Sequence, residues 1–222
     1  LRQLGFQEMD VVSMVKNFTK YSKRILNPDE IEYEIDKCHN LAFSGRPGPC
    51  LLDIPDDVQR AFISKYNQKK FIPNLNKFKS EKIKIDKARK LLNSSEKPLI
   101  VIGSGIKNPN IGKYLKNFTD KYNLPYAPTW GAIDLFNKNE KLNSGSFGVY
   151  ATEYGNKIVQ DAYLLIILGC RMNATLTGSY PKLFSTKSKK IHVDIDLNEQ
   201  KNENKIKIDL SIHTSIKQFL KG

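Results

Sequence analysis

The sequence has 222 residues with 36 Lys and Arg against 23 Asp and Glu, which gives a formal net charge of +13. This length allows one or two domains with a sizeable buried core. Thirty of the basic residues are Lys and they are scattered among Asn and Ile, without the Arg-aromatic cluster or basic helix of a nucleic-acid binder. With neither a bilayer-length apolar run nor a visible signal peptide, we expect a cytoplasmic protein without nucleic-acid or membrane partners.

The first 62 residues predict a partial α/β domain. A rigid Gly/Pro turn at Gly45–Pro49 separates a helical pattern from a short apolar strand. The elements predicted in this part are an amphipathic segment over Asp10–Lys16, a strand over Thr19–Ile25, a helix from Asn27 or Asp29 to about Phe43, and a strand over Cys50–Ile54. Residues 63–80, with Pro73 and several Lys and Asn, have the composition of a linker.

From residue 81 onward, helices and strands alternate strictly. The predicted helices are Ile85–Asn93, Ile111–Tyr122, one ending with Gly155–Asp161, and Thr214–Leu220, and the predicted strands are Pro98–Ile102, Leu124–Ala127, Tyr163–Leu168, Ile191–Ile195 and Ile206–Ile208. Near-continuous apolar strands between helices are typical of a parallel sheet covered on both faces. The fold class predicted is therefore α/β, with a doubly wound, Rossmann-like domain over 81–222 after the partial domain.

Two turns that follow apolar strands of this second domain could meet a phosphate. Gly103 and Gly105 could let backbone amides approach one, although spacing alone favours a ligand-free tight turn because the third glycine of the dinucleotide fingerprint is absent. Gly169 and Arg171 follow Leu168. Arg171 could bind a phosphate; equally, it could cap a neighbouring helix or bind a carboxylate inside the domain.

Two aspartates and three cysteines complete the candidates. Asp194 and Asp196 lie on one face of a strand and could bind a ribose hydroxyl or a metal, whereas spacing alone favours one of them as a helix N-cap. His192, next to them, is interpreted as a packed core residue. The cysteines have unrelated spacings and are expected as buried or half-buried free thiols; no catalytic residue and no metal ligand is assigned.

Residues 44–58, SGRPGPCLLDIPDDV, carry the most specific signal. Together with Arg2–Glu8 and Thr19–Tyr21 they resemble thiamine-diphosphate enzymes of the acetolactate synthase type, and the resemblance continues to the C-terminus. It implies that 1–62 is the C-terminal part of the pyrimidine-binding domain, 63–80 a linker, and 81–222 the central domain.

The resemblance also implies cofactors, partners and site residues. Thiamine diphosphate and Mg²⁺ would serve the full-length enzyme, a 2-oxo acid would be its substrate, and a homodimer or homotetramer would be its assembly. Phe6 and Gln7 would edge the substrate channel. In the family the central domain holds FAD, and the positions that carry over to it are Gly103, Gly105, Gly148, Gly169, Arg171, Asp194 and Asp196.

Several residues depart from the family pattern. Asp56 stands where many members have a lysine, Val149 and Tyr150 replace the usual Met and His, and Asn173–Thr175 replace two aspartates and an arginine tied to acceptor choice. The departures put flavin and acetolactate formation in doubt and leave branched-chain amino-acid synthesis and surface-polysaccharide sugar synthesis both open.

Two family elements have no counterpart in residues 1–222: the glutamate that contacts the aminopyrimidine ring, and the Gly-Asp-Gly…Asn motif that holds the metal and diphosphate. We therefore expect an interior fragment that is inactive alone. The alternative is a non-catalytic, Rossmann-like nucleotide-binding or interaction module, for which Arg2–Glu8 and Ser44–Val58 would have no use.

Overall fold

A computed structural model of the chain describes residue 5 and residues 8–64, 69–73, 81–107, 109–200 and 206–222. Contacts divide it into two compact units, Leu1–Asn76 and Lys77–Gly222, called the N-terminal and the C-terminal unit below. Among the described residues, no helix is both long and apolar enough to cross a membrane.

The N-terminal unit is a small α/β arrangement around one parallel strand pair, β1 with β2. Its elements are α1 (Val11–Val15), β1 (Tyr21–Arg24), a 3₁₀ turn (Pro28–Glu30), α2 (Ile31–Phe43), β2 (Cys50–Asp53) and α3 (Asp56–Arg60). Asn27 accepts a hydrogen bond from the Asp29 N–H and so caps the 3₁₀ turn that leads into α2. The predicted order of helix, strand and turn is confirmed over these residues.

A buried ion-pair network joins α2 to β1. Glu34 is 3% exposed, and its carboxylate accepts from the Tyr21 hydroxyl at 2.6 Å and from Lys23 Nζ at 2.7 Å. Lys37 Nζ donates to the Tyr21 hydroxyl and lies 4.2 Å above the Tyr21 ring. Burial raises the pKa of Glu34, but the bonds from Lys23 and Tyr21 outweigh burial and the pKa is lowered overall.

The C-terminal unit contains a five-stranded, all-parallel sheet in the order β4-β3-β5-β6-β7. Its strands are β3 (Pro98–Ile102), β4 (Tyr126–Pro128), β5 (Leu164–Leu168), β6 (Lys189–Asp194) and β7 (Leu210–His213), and its α-helices are α4 (Lys82–Asn93), α5 (Pro109–Tyr122), α6 (Glu153–Asp161), α7 (Ala174–Thr177), α8 (Leu197–Gln200) and α9 (Ile216–Lys221). Short 3₁₀ turns occupy Ser104–Ile106, Trp130–Leu135 and Pro181–Leu183.

Both faces of this sheet are buried. Along β3, Ile100 and Ile102 contribute to one apolar cluster, while Leu99 and Val101 contribute to the cluster on the opposite face. The same alternation runs along β5, whose five residues are all buried. Helices on each face exclude water from these clusters, and the doubly wound prediction is confirmed.

Two predicted strands lie elsewhere in the structure. The last strand is Leu210–His213, so the prediction of a strand over 206–208 is wrong. Ile206 packs into one core cluster and Leu210 against the other, and Asp209 between them exchanges bonds with Lys190, accepting from its N–H. The prediction therefore placed the strand at Ile206–Ile208, although the chain pairs with β6 only from Leu210 onward. Strand β4 also begins two residues later and ends one residue later than the predicted strand Leu124–Ala127.

Candidate functional site

The carboxyl edge of the five-stranded sheet carries the candidate residues. The chain runs from β3 to β4 on one side and then from β5 to β7 on the other, so the strand order reverses between β3 and β5. Ligands of open α/β sheets bind outside the carboxyl ends of the strands at such a switch point. Gly103 and Gly105 follow β3, and Gly169 and Arg171 follow β5; the fold brings these two segments together there.

The glycines of these two segments allow the two backbones to lie in close contact. A Cβ on Gly103 would collide with the Gly169 carbonyl oxygen and with Cys170, and one on Gly105 would lie 2.8 Å from the Gly169 oxygen. The Gly103 N–H donates to Leu168 O at 2.9 Å, and the Gly105 N–H donates to Gly169 O at 3.0 Å. These two amides are therefore engaged in joining the loops, as the tight-turn interpretation of the sequence expects.

Arg171 lies at the same edge and pairs with a carboxylate. Its Nε is 3.3 Å from Glu199 Oε1; the Arg171 side chain is 58% exposed, while that of Glu199 is largely buried. Glu199 belongs to α8, which begins directly beyond Asp194 and Asp196. Of the two interpretations left open by the sequence, the structure forms the contact with a carboxylate inside the domain, and that contact ties the β5 loop to α8.

Asp194 and Asp196 are engaged in local hydrogen bonds. The Asp196 N–H donates to Asp194 Oδ1 at 2.8 Å, and Asp196 Oδ1 accepts from the Asn198 N–H at 2.9 Å, in the first turn of α8. Asp196 thus caps this helix, the role favoured by spacing alone. Burial raises the pKa of Asp194, since its backbone bond and the nearby His192 only partly offset desolvation.

His192 is a core residue, as expected from the sequence. It is buried, its Nε2 lies 3.2 Å from Cys170 O, and it is 3.9 Å from Asp194 Oδ2. Burial lowers the pKa of His192 and raises that of the Cys170 thiol to about 12, so both groups stay neutral near pH 7. Neither is arranged for proton transfer. All three thiols are free, with Cys38 and Cys50 half-buried and Cys170 buried.

Gly148 lies apart from the other glycines and fixes the loop before α6. Its φ of +120° is a left-handed conformation that favours glycine. Its N–H donates to Asn156 Oδ1 and its carbonyl accepts from Asn156 Nδ2, while the next N–H, of Val149, donates to Thr175 O at 2.8 Å. Tyr150 is therefore held on a loop attached to both α6 and α7.

A stacked aromatic pair adds a feature that the sequence interpretation missed. The rings of Trp130 and Tyr150 have centroids 5.2 Å apart and planes 12° from parallel. Trp130 begins the 3₁₀ turn just beyond β4, and a Cβ on the adjacent Gly131 would lie 3.1 Å from Ser104 Cβ. One signal was available: Trp130, the single tryptophan of the chain, comes three residues after the predicted strand Leu124–Ala127, which was expected to end at this edge.

Other predicted features give no further site. Phe6 and Gln7 lie outside the described residues. Asp56, the departure from a family lysine, is in the first turn of α3 and pairs with Arg60 at 3.0 Å. Within the described parts of the chain, no group of three or more His, Cys, Asp or Glu is placed to hold a metal ion.

The fold and the glycine-lined carboxyl edge define a doubly wound, parallel α/β domain, a class in which ligands bind outside the carboxyl ends of the strands. Residues 85–222 match the family model described as the thiamine pyrophosphate enzyme, central domain. The chain therefore belongs to the thiamine pyrophosphate enzyme family.

Curated relatives agree with this assignment. Probable acetolactate synthase 2, chloroplastic, from Oryza sativa subsp. japonica is 31% identical over 98% of this chain and 33% of its own length. The acetolactate synthase large subunit of Corynebacterium glutamicum is 30% identical over 86% of the chain and 31% of its own length. A probable acetolactate synthase large subunit of Methanocaldococcus jannaschii is 32% identical over 86% and 33%. The chain spans about a third of the length of these relatives.

The carboxyl edge offers exposed aromatic surface and a partly exposed guanidinium. The stacked pair offers aromatic surface, with Trp130 65% and Tyr150 70% exposed. Arg171 is exposed enough to reach a phosphate, but that phosphate would compete with Glu199 for the guanidinium.

Proposed function

We propose that the chain is the interior part of an acetolactate synthase-like enzyme that uses thiamine diphosphate and Mg²⁺ to decarboxylate a 2-oxo acid and transfer the product to an acceptor. The observation that carries this proposal is the family match over 85–222, extended to nearly the whole chain by the relative from rice. We further propose 1–62 as the C-terminal part of the pyrimidine-binding domain, 63–80 as a linker and 81–222 as the central domain. A cytoplasmic homodimer or homotetramer accords with this assignment.

Thiamine diphosphate, when bound, supplies the carbanion chemistry, and the protein supplies binding, orientation and a carboxylate for the aminopyrimidine ring. Glu34 is a buried carboxylate of the N-terminal unit and is therefore considered for this role. Its oxygens already accept hydrogen bonds from Tyr21 and Lys23. Its pKa is lowered, which does not suit a carboxyl group that must share a proton with a ring nitrogen. We therefore assign Glu34 a structural role and expect the catalytic carboxylate in a different part of the enzyme.

The role proposed for this chain's own residues is to position ligands. Gly103, Gly105 and Gly169 allow the β3 and β5 loops to meet at the switch point, and Arg171 with Asp194 and Asp196 borders the edge where a dinucleotide such as FAD would lie. Gly148 sets the loop that carries Tyr150. Phe6 and Gln7 are proposed to edge the substrate channel.

Activity measurements test this proposal directly. The 222-residue chain, supplied with thiamine diphosphate, Mg²⁺ and pyruvate, should form no product above a protein-free control, because the carboxylate and the diphosphate site are assigned elsewhere. The full-length polypeptide should decarboxylate pyruvate or another short 2-oxo acid in a cofactor-dependent manner.

Two results would contradict the proposal. Turnover by the 222-residue chain would place the missing groups within it. A full-length polypeptide that converts no 2-oxo acid in a coupled carbon dioxide assay, yet binds nucleotide, would instead favour the non-catalytic Rossmann-like module.

A further inference from the structure

Two cysteines of the N-terminal unit, Cys38 in α2 and Cys50 at the start of β2, take no part in the proposed function. Both thiols are free and half-buried. Their spacing in the sequence gave no reason to pair them. The fold supplies that reason, because the chain turns back after α2 and the helix packs against β2.

The side chain of Cys50 points toward α2. Tyr21 and Cys50 are partners in register in the parallel strand pair, and residues directly opposite each other in such a pair project from the same face of the sheet. The Tyr21 hydroxyl donates to Glu34 of α2 at 2.6 Å. The face of the sheet that carries Tyr21 and Cys50 is therefore the face that α2 covers.

Cys38 lies on the face of α2 that meets this strand pair. Residues three and four apart in a helix share one face, and Glu34 and Lys37 both contact the Tyr21 hydroxyl. Cys38 follows Glu34 by four residues. The two thiols thus meet at the contact between helix and strand. Burial, and after it the neighbouring Cys50 thiol, raise the pKa of Cys38.

The turn that joins the two cysteines is fixed at several points. The Gly48 N–H donates to Ala42 O in α2 at 3.0 Å. Lys20 Nζ donates to Ser44 O at 2.6 Å and to Arg46 O at 2.9 Å. These bonds hold the end of α2 and the start of β2 in place before any reaction, and such prior placement favours a reaction between the two thiols.

We propose that Cys38 and Cys50 form a reversible oxidative modification site that closes to a disulfide in the presence of hydrogen peroxide. In the first step the Cys50 sulfur attacks one peroxide oxygen, the O–O bond breaks, and the other oxygen leaves as water with the thiol proton; Cys50 becomes a sulfenic acid. Cys38 then attacks that sulfur, and the hydroxyl leaves as a second water with the Cys38 proton.

The order of the steps follows from the surroundings of the thiols. The raised pKa of Cys38 disfavours the thiolate that the first attack needs, so Cys50 reacts first and Cys38 resolves the sulfenic acid. A dithiol reductant reverses the reaction by exchange. Disulfides that form in reducing compartments are usually transient ones of this kind.

Mass mapping of the 222-residue chain tests the proposal. The reduced chain is treated with hydrogen peroxide, alkylated and digested with trypsin and chymotrypsin, since cleavage after Phe43 separates the two cysteines. We expect a linked peptide pair that is lighter by two hydrogens than the free peptides and is released by dithiothreitol. Cys170, which is buried in the C-terminal unit, should remain a thiol. No linked pair, or a main product that joins Cys170 or two chains, overturns the proposal.

A matched variant separates placement in the fold from proximity along the chain. Cys38→Ser combined with His39→Cys moves the thiol to the next, exposed position of α2, about 100° around the helix, and hardly changes its spacing to Cys50. The linked fraction should fall about tenfold, because side chains that point apart are not bridged without backbone movement. A linked fraction equal to that of the unmodified chain overturns the proposal.

Amide exchange shows whether the bond forms in the folded unit. The disulfide joins α2 to β2 and closes the short loop 38–50, so exchange of β2 peptides should slow about 10- to 100-fold after oxidation. Exchange that is equally fast in both forms overturns the proposal, because the bond would then form only in opened chains. None of these measurements depends on the activity of the full-length enzyme, so the proposed function can fail without affecting them.

Discussion

At the scale of single residues, the most constrained positions are glycines whose neighbours are backbone atoms. Gly103 has an ordinary negative φ of −96°, so its requirement is steric: a methyl group would meet the Gly169 carbonyl and Cys170. Backbone atoms at a parallel strand end cannot move aside as a flexible side chain can. The turn after β3 therefore packs directly against the loop that follows β5.

Gly103→Ala should lower the free energy of unfolding of the C-terminal unit by about 1–3 kcal/mol, the usual cost of overpacking. The matched control is Gly112→Ala, in α5, where an added Cβ meets nothing within 4 Å; it should raise stability by about 0.5–1 kcal/mol because alanine favours helix. Urea unfolding followed by Trp130 emission measures both. Equal stability of the two variants would show that the loops separate without cost.

Residue types predicted most of the positions in the candidate site, but they did not predict which side chains contact each other. The sequence located Gly103, Gly169, Arg171 and the aspartates because parallel strands end at one edge. It could not choose between a phosphate and a carboxylate for Arg171, because Glu199 lies 28 residues downstream and reaches it only when β5 and β6 are adjacent. The aromatic stack depends on the same kind of non-local contact.

At the scale of elements, apolar continuity decided how well each strand could be predicted. Strands β3 and β5 are buried on both faces, and their positions were evident in the sequence. The edge strands β4 and β7 are shorter, and their limits depend on which neighbour each backbone pairs with, for example the bond from the Asp209 N–H to Lys190 O. Local sequence does not contain that information.

The attachment of α2 to β1 gives a pH-dependent prediction. Because the folded pKa of Glu34 is below the ordinary glutamate value of 4.5, its contribution to stability is complete above that value and is lost as the pH falls through the folded pKa. Glu34→Gln should therefore destabilise this attachment by about 1–3 kcal/mol near pH 7 and by progressively less as the pH is lowered below 4.5 toward the folded pKa.

Amide hydrogen exchange of peptides covering β1 and α2 measures this difference at each pH. Glu32→Gln is the control, since Glu32 is an exposed carboxylate on the same helix, and it should leave exchange near that of the unmodified chain. A loss of protection in Glu34→Gln that stays equally large as the pH is lowered from 7 until the native protein unfolds would mean that ionisation of Glu34 is not its source.

At the scale of the whole molecule, the two units differ in how completely they bury apolar surface. The C-terminal unit has two clusters, one on each face of a five-stranded sheet. The described residues of the N-terminal unit form two strands, both half-buried throughout, and expose large apolar side chains such as Met14, Phe18 and Phe43. A two-stranded sheet with open edges is marginally stable at best.

Limited proteolysis of the 222-residue chain should therefore leave a resistant core that begins near residue 80 and extends to the C-terminus. Native-state cleavage follows the free energy of local opening, which is largest where strands are buried on both faces. Trypsin suits the measurement because Lys and Arg occur throughout both units, so the pattern of cuts reports stability and not the supply of sites. The mass of the core locates its first residue. If both units resist digestion equally, the N-terminal unit is stable with the strand pair it has, and the proposal that it is completed by further parts of a pyrimidine-binding domain loses its structural support.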